Sequence, residues 1–145
     1  MTLILNNKAL DVTVVTSEEQ QQTTWENEHR DNVGFLSIFK EVEVVEYHAT
    51  TCPLSIAFID PSGLIQTIDD MPLDRHVQSI APVRFALEVR QGWFRRFKIH
   101  PGVRAFIGLN DSDVDPLKLS TFKRPELRPE LTDWLLEYAE KSSLE

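Results

Sequence analysis

The chain has 145 residues, 41% apolar and 26% charged, with a formal net charge of −8 and one cysteine, Cys52. That length and balance predict one domain around a single hydrophobic core and exclude wholesale disorder. A lone cysteine excludes an internal disulfide and a thiolate metal cluster, which fits a reducing compartment.

The N-terminal Met1-Thr2-Leu3-Ile4-Leu5-Asn6-Asn7 has no basic region and too short an apolar run for a signal peptide. No apolar stretch approaches the roughly 18 residues that a membrane span needs. The expected location is therefore the cytoplasm or an assembled particle, with no membrane partner. Charge is unevenly spread. Residues 1–83 carry 4 basic and 13 acidic side chains, whereas residues 84–104 carry Arg84, Arg90, Arg95, Arg96, Lys98 and Arg104 against Glu88 alone. A basic band in an acidic chain suits an acidic partner, a second copy of the chain included.

Leu3-Ile4-Leu5, the turn residues Asn6-Asn7-Lys8 and the alternating Leu10–Val15 predict an opening hairpin. Ser17 then reads as a helix N-cap, with Glu18 and Glu19 in the first turn and Gln20 at the capping-box spacing, for a short helix over 18–26. Gly34–Phe39 and Val42–Tyr47 resume strand character. Pro53–Ile68 is the clearest local pattern. Two apolar runs flank Asp60-Pro61-Ser62-Gly63, in which Asp60 can bond the turn backbone, Pro61 sets φ and Gly63 supplies a left-handed residue. Met71–Pro82 reads as a loop, Val83–Arg90 as a strictly alternating strand, Gly92–Phe97 as one or two helical turns, and Val103–Ile107 as a strand.

Beyond Gly108, Asn110–Pro116 reads as an acidic linker. Pro129 then opens a helix in which Leu131, Trp134, Leu135 and Tyr138 share a stripe at i, i+3, i+4 and i+7. Residues 1–108 thus form the β domain, and residues 109–145 a linker and helix that packs on it or on a neighbour. Seven or eight short strands favour an antiparallel sandwich or barrel.

Several of these pieces, in this order, resemble the family known as domain of unknown function 192. Thr16-Ser17-Glu18-Glu19-Gln20 is similar to its "TPEER" helix start, and Gly34–Phe39 to its "GMLFVF" strand. Pro53–Asp60 with Gly63 and Ile65 is similar to its "PLDIAFID-x-x-G-x-I" hairpin. Phe85–Val89 with Gly92 is similar to its closing "LE-x-x-x-G" pattern. The resemblance covers residues ~10–108 and implies a mainly-β, jelly-roll-like antiparallel sandwich with one or two short helices, to which this chain adds a C-terminal amphipathic helix. It implies no reaction. The family's "FWMKNT" signature falls here on Val45, Glu46, Tyr47, His48, Ala49 and Thr50, of which Thr50 alone is kept, and the Asp of "PLD" has become Ser55. Family members occur in tailed phages as well as in cells, so a head or tail accessory protein is one expected setting.

Chemical motifs are sparse. His48 and Cys52 lie on one strand face but about 13 Å apart along it, too far for a nucleophilic pair. His29, His48, His76 and His100 show no metal-ligand spacing, and no cofactor motif occurs. Asp60 has a turn role, and Asp69, Asp70 and Asp74 read as solvated acids. The preferred expectation is a non-catalytic structural or interaction module of a larger assembly. It would use Arg95, Arg96 and Lys98 together with Leu131, Trp134, Leu135 and Tyr138, as a homo-oligomer or with other protein partners. The alternative is a small-ligand or carbohydrate-binding protein, or a hydrolase, with a cleft near Trp25, Tyr47, His48 and Thr50. A third reading places single-stranded nucleic acid on the basic band, where Trp93, Phe94 and Phe97 interleave with cations.

Overall fold

The computed structural model describes residues 1–15, 25, 28–48 (40, 41 and 48 by backbone alone), 52–73, 76–108 and 135. Its strands are β1 (Thr2–Leu5), β2 (Lys8–Val15), β3 (Val33–Glu43), β4 (Glu46–His48), β5 (Leu54–Ile59), β6 (Ile65–Met71), β7 (His76–Gln78), β8 (Val83–Arg90) and β9 (Ala105–Gly108). One short helix, α1, spans Trp93–Arg96. Most of the helix expected over 18–26, all of the acidic linker and most of the C-terminal helix lie outside the described residues. Trp25 and Leu135, which fall inside them, are both helical.

The mainly-β expectation holds. Seven strands form one sheet in the order β6-β5-β8-β3-β2-β1-β9, and β4 and β7 form a separate two-stranded ribbon. Among the described residues, every strand pairing is antiparallel except β2 with β3, which run parallel from Asp11↔Val33 to Val15↔Ser37. A parallel pair needs a crossover of about a dozen residues or more, and residues 16–32 supply it. The loop expected over Met71–Pro82 contains the end of β6 and the whole of β7. Three residues between prolines are too few to show alternation, and β7 exists through its pairing with β4.

Local chemistry explains both hairpins. Asn6 and Asn7 take φ of 49° and 64° between Leu5 and Lys8, the two left-handed residues of a type I′ turn. At the second hairpin, Asp60 Oδ1 accepts from Ser62 N at 2.9 Å, Ser62 Oγ at 2.6 Å and Leu64 N at 3.1 Å. Gly63 has φ of 91° there, which a residue with a Cβ adopts only under strain.

The central strands of the large sheet, β3, β5 and β8, bury both faces, whereas β2 alternates between core and solvent. Leu10, Val12, Val14, Leu36, Ala57, Phe85, Leu87 and Val89 belong to a first apolar cluster, which α1 joins through Trp93 and Phe94. Val33, Phe35, Leu54, Ile56, Phe58 and Ala86 belong to a second, with Trp25, Val45 and Tyr47 over it. Period-two alternation sends neighbouring residues of β5 and β8 to opposite faces, so all six residues of β5 are buried. At about 1.5–3 kcal/mol for each large apolar side chain buried, this double-sided packing dominates stability. Leu135 is fully buried in the first cluster, so this position of the expected C-terminal stripe packs on its own chain. One corner joins the sheet's two outer strands. Ile65 N donates to Val103 O, Gly102 N to Ile65 O and Ala105 N to Gly63 O, at 2.8–2.9 Å, around the Leu64–Arg104 bridge.

Candidate functional site

Of the four residues named for the alternative ligand cleft, Trp25 and Tyr47 are part of the core. Trp25 is 4% exposed and meets Phe35 edge to face, with ring centroids 4.4 Å apart. Tyr47 is 7% exposed, between Phe39 and Phe58 at 6.4 and 6.2 Å. The backbone of His48 pairs with His76 in the ribbon. Thr50, Leu131, Trp134 and Tyr138 lie outside the described residues. Trp25 and Tyr47 face inward because β4 and the helical residue at 25 close over the second face of the sheet, which would otherwise leave Phe35 and Phe58 in water.

That closure contains a polar centre that sequence reasoning missed. Glu88, in the middle of β8, is 3% exposed, and Trp25 Nε1 donates to its Oε2 at 3.0 Å. Two residues on, Arg90 lays its guanidinium 5.2 Å from the Trp25 ring centroid. Its Nη1 donates to Cys52 Sγ at 3.4 Å and its Nη2 to Glu28 O. The available signal was a lone acid in a basic band, on a strand whose two faces are both apolar. Arg30 holds Glu28 through Nε at 2.9 Å and Nη2 at 3.0 Å, and this side-chain bonding lowers the Glu28 carboxyl to about 2. Among the described residues, no three His, Cys, Asp or Glu side chains gather as a metal set would, and no helix is long and apolar enough to cross a membrane.

A cleft of about 250 Å³ opens on the first face, lined by Ser55, Asp70, Gly92, Arg95 and His100 above an apolar floor that includes Phe94 and Ile99. Ser55 Oγ donates to Asp70 Oδ1 at 2.8 Å and accepts from Gly92 N at 3.1 Å, tying β5, β6 and the start of α1 together. Ser55 stands where the resembling family carries Asp, and here it serves as that tie.

The basic band divides. Arg84 is half-buried in β8, Arg90 is engaged as described, and Arg104 donates to Ser62 O. Arg95, Arg96 and Lys98 are exposed around α1. The aromatic residues between them face the core, with Trp93 4% and Phe94 2% exposed, so neither ring is open for a base to stack on. Phe97 is half-buried, with Lys8 Nζ 4.3 Å and Arg96 Cζ 5.2 Å from its ring centroid. The ring is thus packed on Trp93 and covered by two cations.

A surface of opposite sign lies at the other end of β8. Glu43 pairs with Val83 at the start of that strand. Ser79 N donates to Val45 O, extending the β4–β7 ladder by one step, and the next step places Val44 opposite Ile80. Val45 and Tyr47 point into the second cluster, so Val44 and Glu46 point outward. Val42, Val44, Leu73 and Ile80 are the exposed large apolar residues among those described, at 46, 47, 47 and 77%. Val42, Val44 and Ile80 gather at the Val44–Ile80 end of the ribbon, whereas Leu73 follows Met71, which lies opposite Leu54 and so level with Arg90 at the far end of β8. Glu46 is 59% exposed on its side chain and takes a 2.6 Å bond with His76 Nδ1.

Among the described residues, the fold and these surfaces define a mainly-β domain with a buried Glu88 carboxyl, a small cleft, an apolar patch at the ribbon and a cluster of exposed cations around α1. The chain belongs to the family of uncharacterised proteins called DUF192 (Uncharacterized ACR), whose family model matches residues 1–107. No curated protein matches it. Among solved structures, a candidate transcription regulator from Sinorhizobium meliloti 1021 is similar at TM-score 0.62 and 24% identity, over 72% of this chain and 88% of that one. A protein of unknown function from Novosphingobium aromaticivorans DSM 12444 is similar at TM-score 0.63 and 16% identity, over 72% of this chain and 83% of that one. At these identities the likeness is one of fold.

Proposed function

We propose that the chain is a non-catalytic interaction module of a larger protein assembly, and that the ribbon end carries the contact. The observation behind this is the collection of exposed apolar side chains at one ribbon. Scattered apolar residues are normal on a monomer, but a cluster with a polar rim marks an interaction surface. The packing of Trp25 and Tyr47 into the core supports the same reading, since it removes two side chains of the expected reactive cleft. A virion setting rests on the family resemblance alone.

Isolation of the chain from its native source under mild conditions tests the reading. A particle well above the 16.7 kDa of one chain is expected, and Val44→Asp/Ile80→Asp should release it. A native chain that sediments as a monomer would sink the proposal.

The first-face cleft favours a second reading, a small-ligand-binding protein. Asp70 and Arg95 offer opposite charges over an apolar floor, a set suited to a small zwitterion of amino-acid size. Thermal shift against free amino acids tests it. A shift lost in Asp70→Asn and in Arg95→Ala is expected, and no shift with any of them rejects it.

A further inference from the structure

We infer that the partner at the ribbon end is a second copy of this chain, bound head to tail so that the ribbon of one copy meets the α1 end of the next. This inference rests on the interaction-module reading and names its partner.

The two surfaces are complementary in both chemistry and layout. The ribbon end presents Val42, Val44 and Ile80 as an apolar centre, with Glu43 and Glu46 exposed beside it. The α1 end presents a cluster of exposed cations, Arg95, Arg96 and Lys98, with Lys8 Nζ 4.3 Å and Arg96 Cζ 5.2 Å over the half-buried Phe97 ring. Charges of opposite sign across a contact set its register and raise its on-rate. Within one copy the surfaces cannot satisfy each other. Glu43 pairs at Val83, the first residue of β8, whereas Arg95 follows its last residue, Arg90, by five positions. An eight-residue strand holds those ends about 25 Å apart at 3.2–3.4 Å per residue.

The surfaces share no residue, so every copy can use both at once. A contact between different patches on identical subunits is heterologous, and its repetition closes into a ring or grows into a filament. A symmetric two-fold dimer through α1 would instead set cation against cation, and one through the ribbon would bring together two copies of Glu43 beside the Glu46–His76 pairs. The arrangement therefore selects head-to-tail growth.

Sedimentation velocity on the full chain across protein and salt concentrations tests this, with two surface variants. Glu43→Lys/Ile80→Lys spoils the ribbon end, and Arg95→Ala/Arg96→Ala spoils the α1 end. Circular dichroism and thermal melting confirm that each variant keeps its fold. The native chain should grow in mass with concentration and shrink with salt, and each variant alone should associate at least about tenfold more weakly. Mixing the two variants restores one good contact per pair, so the mixture should stop at two chains. A native chain that stays monomeric throughout, a variant that grows at the same concentrations as the native chain, or a mixture that stays monomeric overturns the head-to-tail contact. A monomer that is recovered in a native complex sensitive to Ile80→Lys overturns the self-contact and leaves the module reading standing. A monomer that binds a single-stranded oligonucleotide, lost in Arg95→Ala/Arg96→Ala, overturns the self-contact in favour of nucleic acid at that end.

Discussion

Trp25 Nε1 donates to Glu88 Oε2 at 3.0 Å, across 63 residues of sequence and beneath the second face of the sheet. The bond joins the helical residue at 25 to the middle of β8, and it places a carboxyl among Phe35, Ile56 and Ala86, where water cannot replace a lost donor. Trp25→Phe keeps the edge-to-face packing on Phe35 and removes the donor alone. It should cost about 1–3 kcal/mol in urea unfolding, with an unchanged m-value. A midpoint equal to that of the native chain would show that Glu88 does not depend on this bond.

Gly34 packs against the same strand from the other face. A Cβ there would lie 2.9 Å from Glu88 O, 3.1 Å from Leu10 Cδ2 and 3.2 Å from Leu87 Cδ1. The nearest of these atoms is backbone, which cannot rotate away. Gly34→Ala is expected to destabilise by roughly 1–3 kcal/mol through overpacking, despite the usual entropic gain of replacing glycine. Equal or higher stability would mean that β3 and β8 separate more easily than their ladder implies.

The pairing of Glu28 with Arg30 makes acid stability depend on one cation. Side-chain hydrogen bonding to Arg30 lowers the Glu28 carboxyl from an ordinary 4.5 to about 2. Since the folded value is the lower one, the contribution is fully present above pH 4.5 and is lost as pH falls towards about 2. Arg30 is 64% exposed, so water and salt keep the effect modest. Carboxyl NMR titration of Arg30→Gln should return Glu28 towards 4.5 and flatten the acid limb of the stability curve. A Glu28 value that stays near 2 in that variant would assign the depression to other groups.

The Asp60 turn should behave as local scaffolding. Asp60→Ala removes an acceptor used by two backbone donors and one hydroxyl. A loss of about 1–2 kcal/mol is expected, with no change in the oligomeric state of the chain. A change in assembly without a change in stability would move this turn from scaffold to contact surface.

Where chemistry was local, the sequence was informative. Asn6-Asn7 and Asp60-Pro61-Ser62-Gly63 marked their hairpins because turn geometry is decided by the residues within it. Alternation marked β8, and Trp93 with Phe94 fell on the core side of α1. What stayed hidden depends on partners distant in the chain. The short β7 is a strand only through β4, and β2 beside β3 is a parallel pair that no local pattern announces. Trp25 and Tyr47 were expected at a cleft because exposed aromatic and polar residues often line one. They became core once β8, with β3 and β5 on either side, needed cover on its second face. Glu88 was hidden for the same reason. Alternation predicts that an acid in a strand faces water, and that holds only where one face of the sheet is solvated.

The pairing of β1 with β9, from Thr2↔Gly108 to Leu5↔Ala105, also sets the timetable of folding. A β1–β2 hairpin can close within microseconds of emerging, because its turn is two residues long. Its outer edge must then wait for a strand made about a hundred residues later, and such distant closure is what slows β-rich domains. During synthesis the outer edge of β1 stays without its partner strand until β9 arrives. The earliest hairpin of the chain is the last to gain its neighbour, and substitutions in Ala105–Gly108 should show themselves first as faster unfolding, because a contact made last is absent from the transition state.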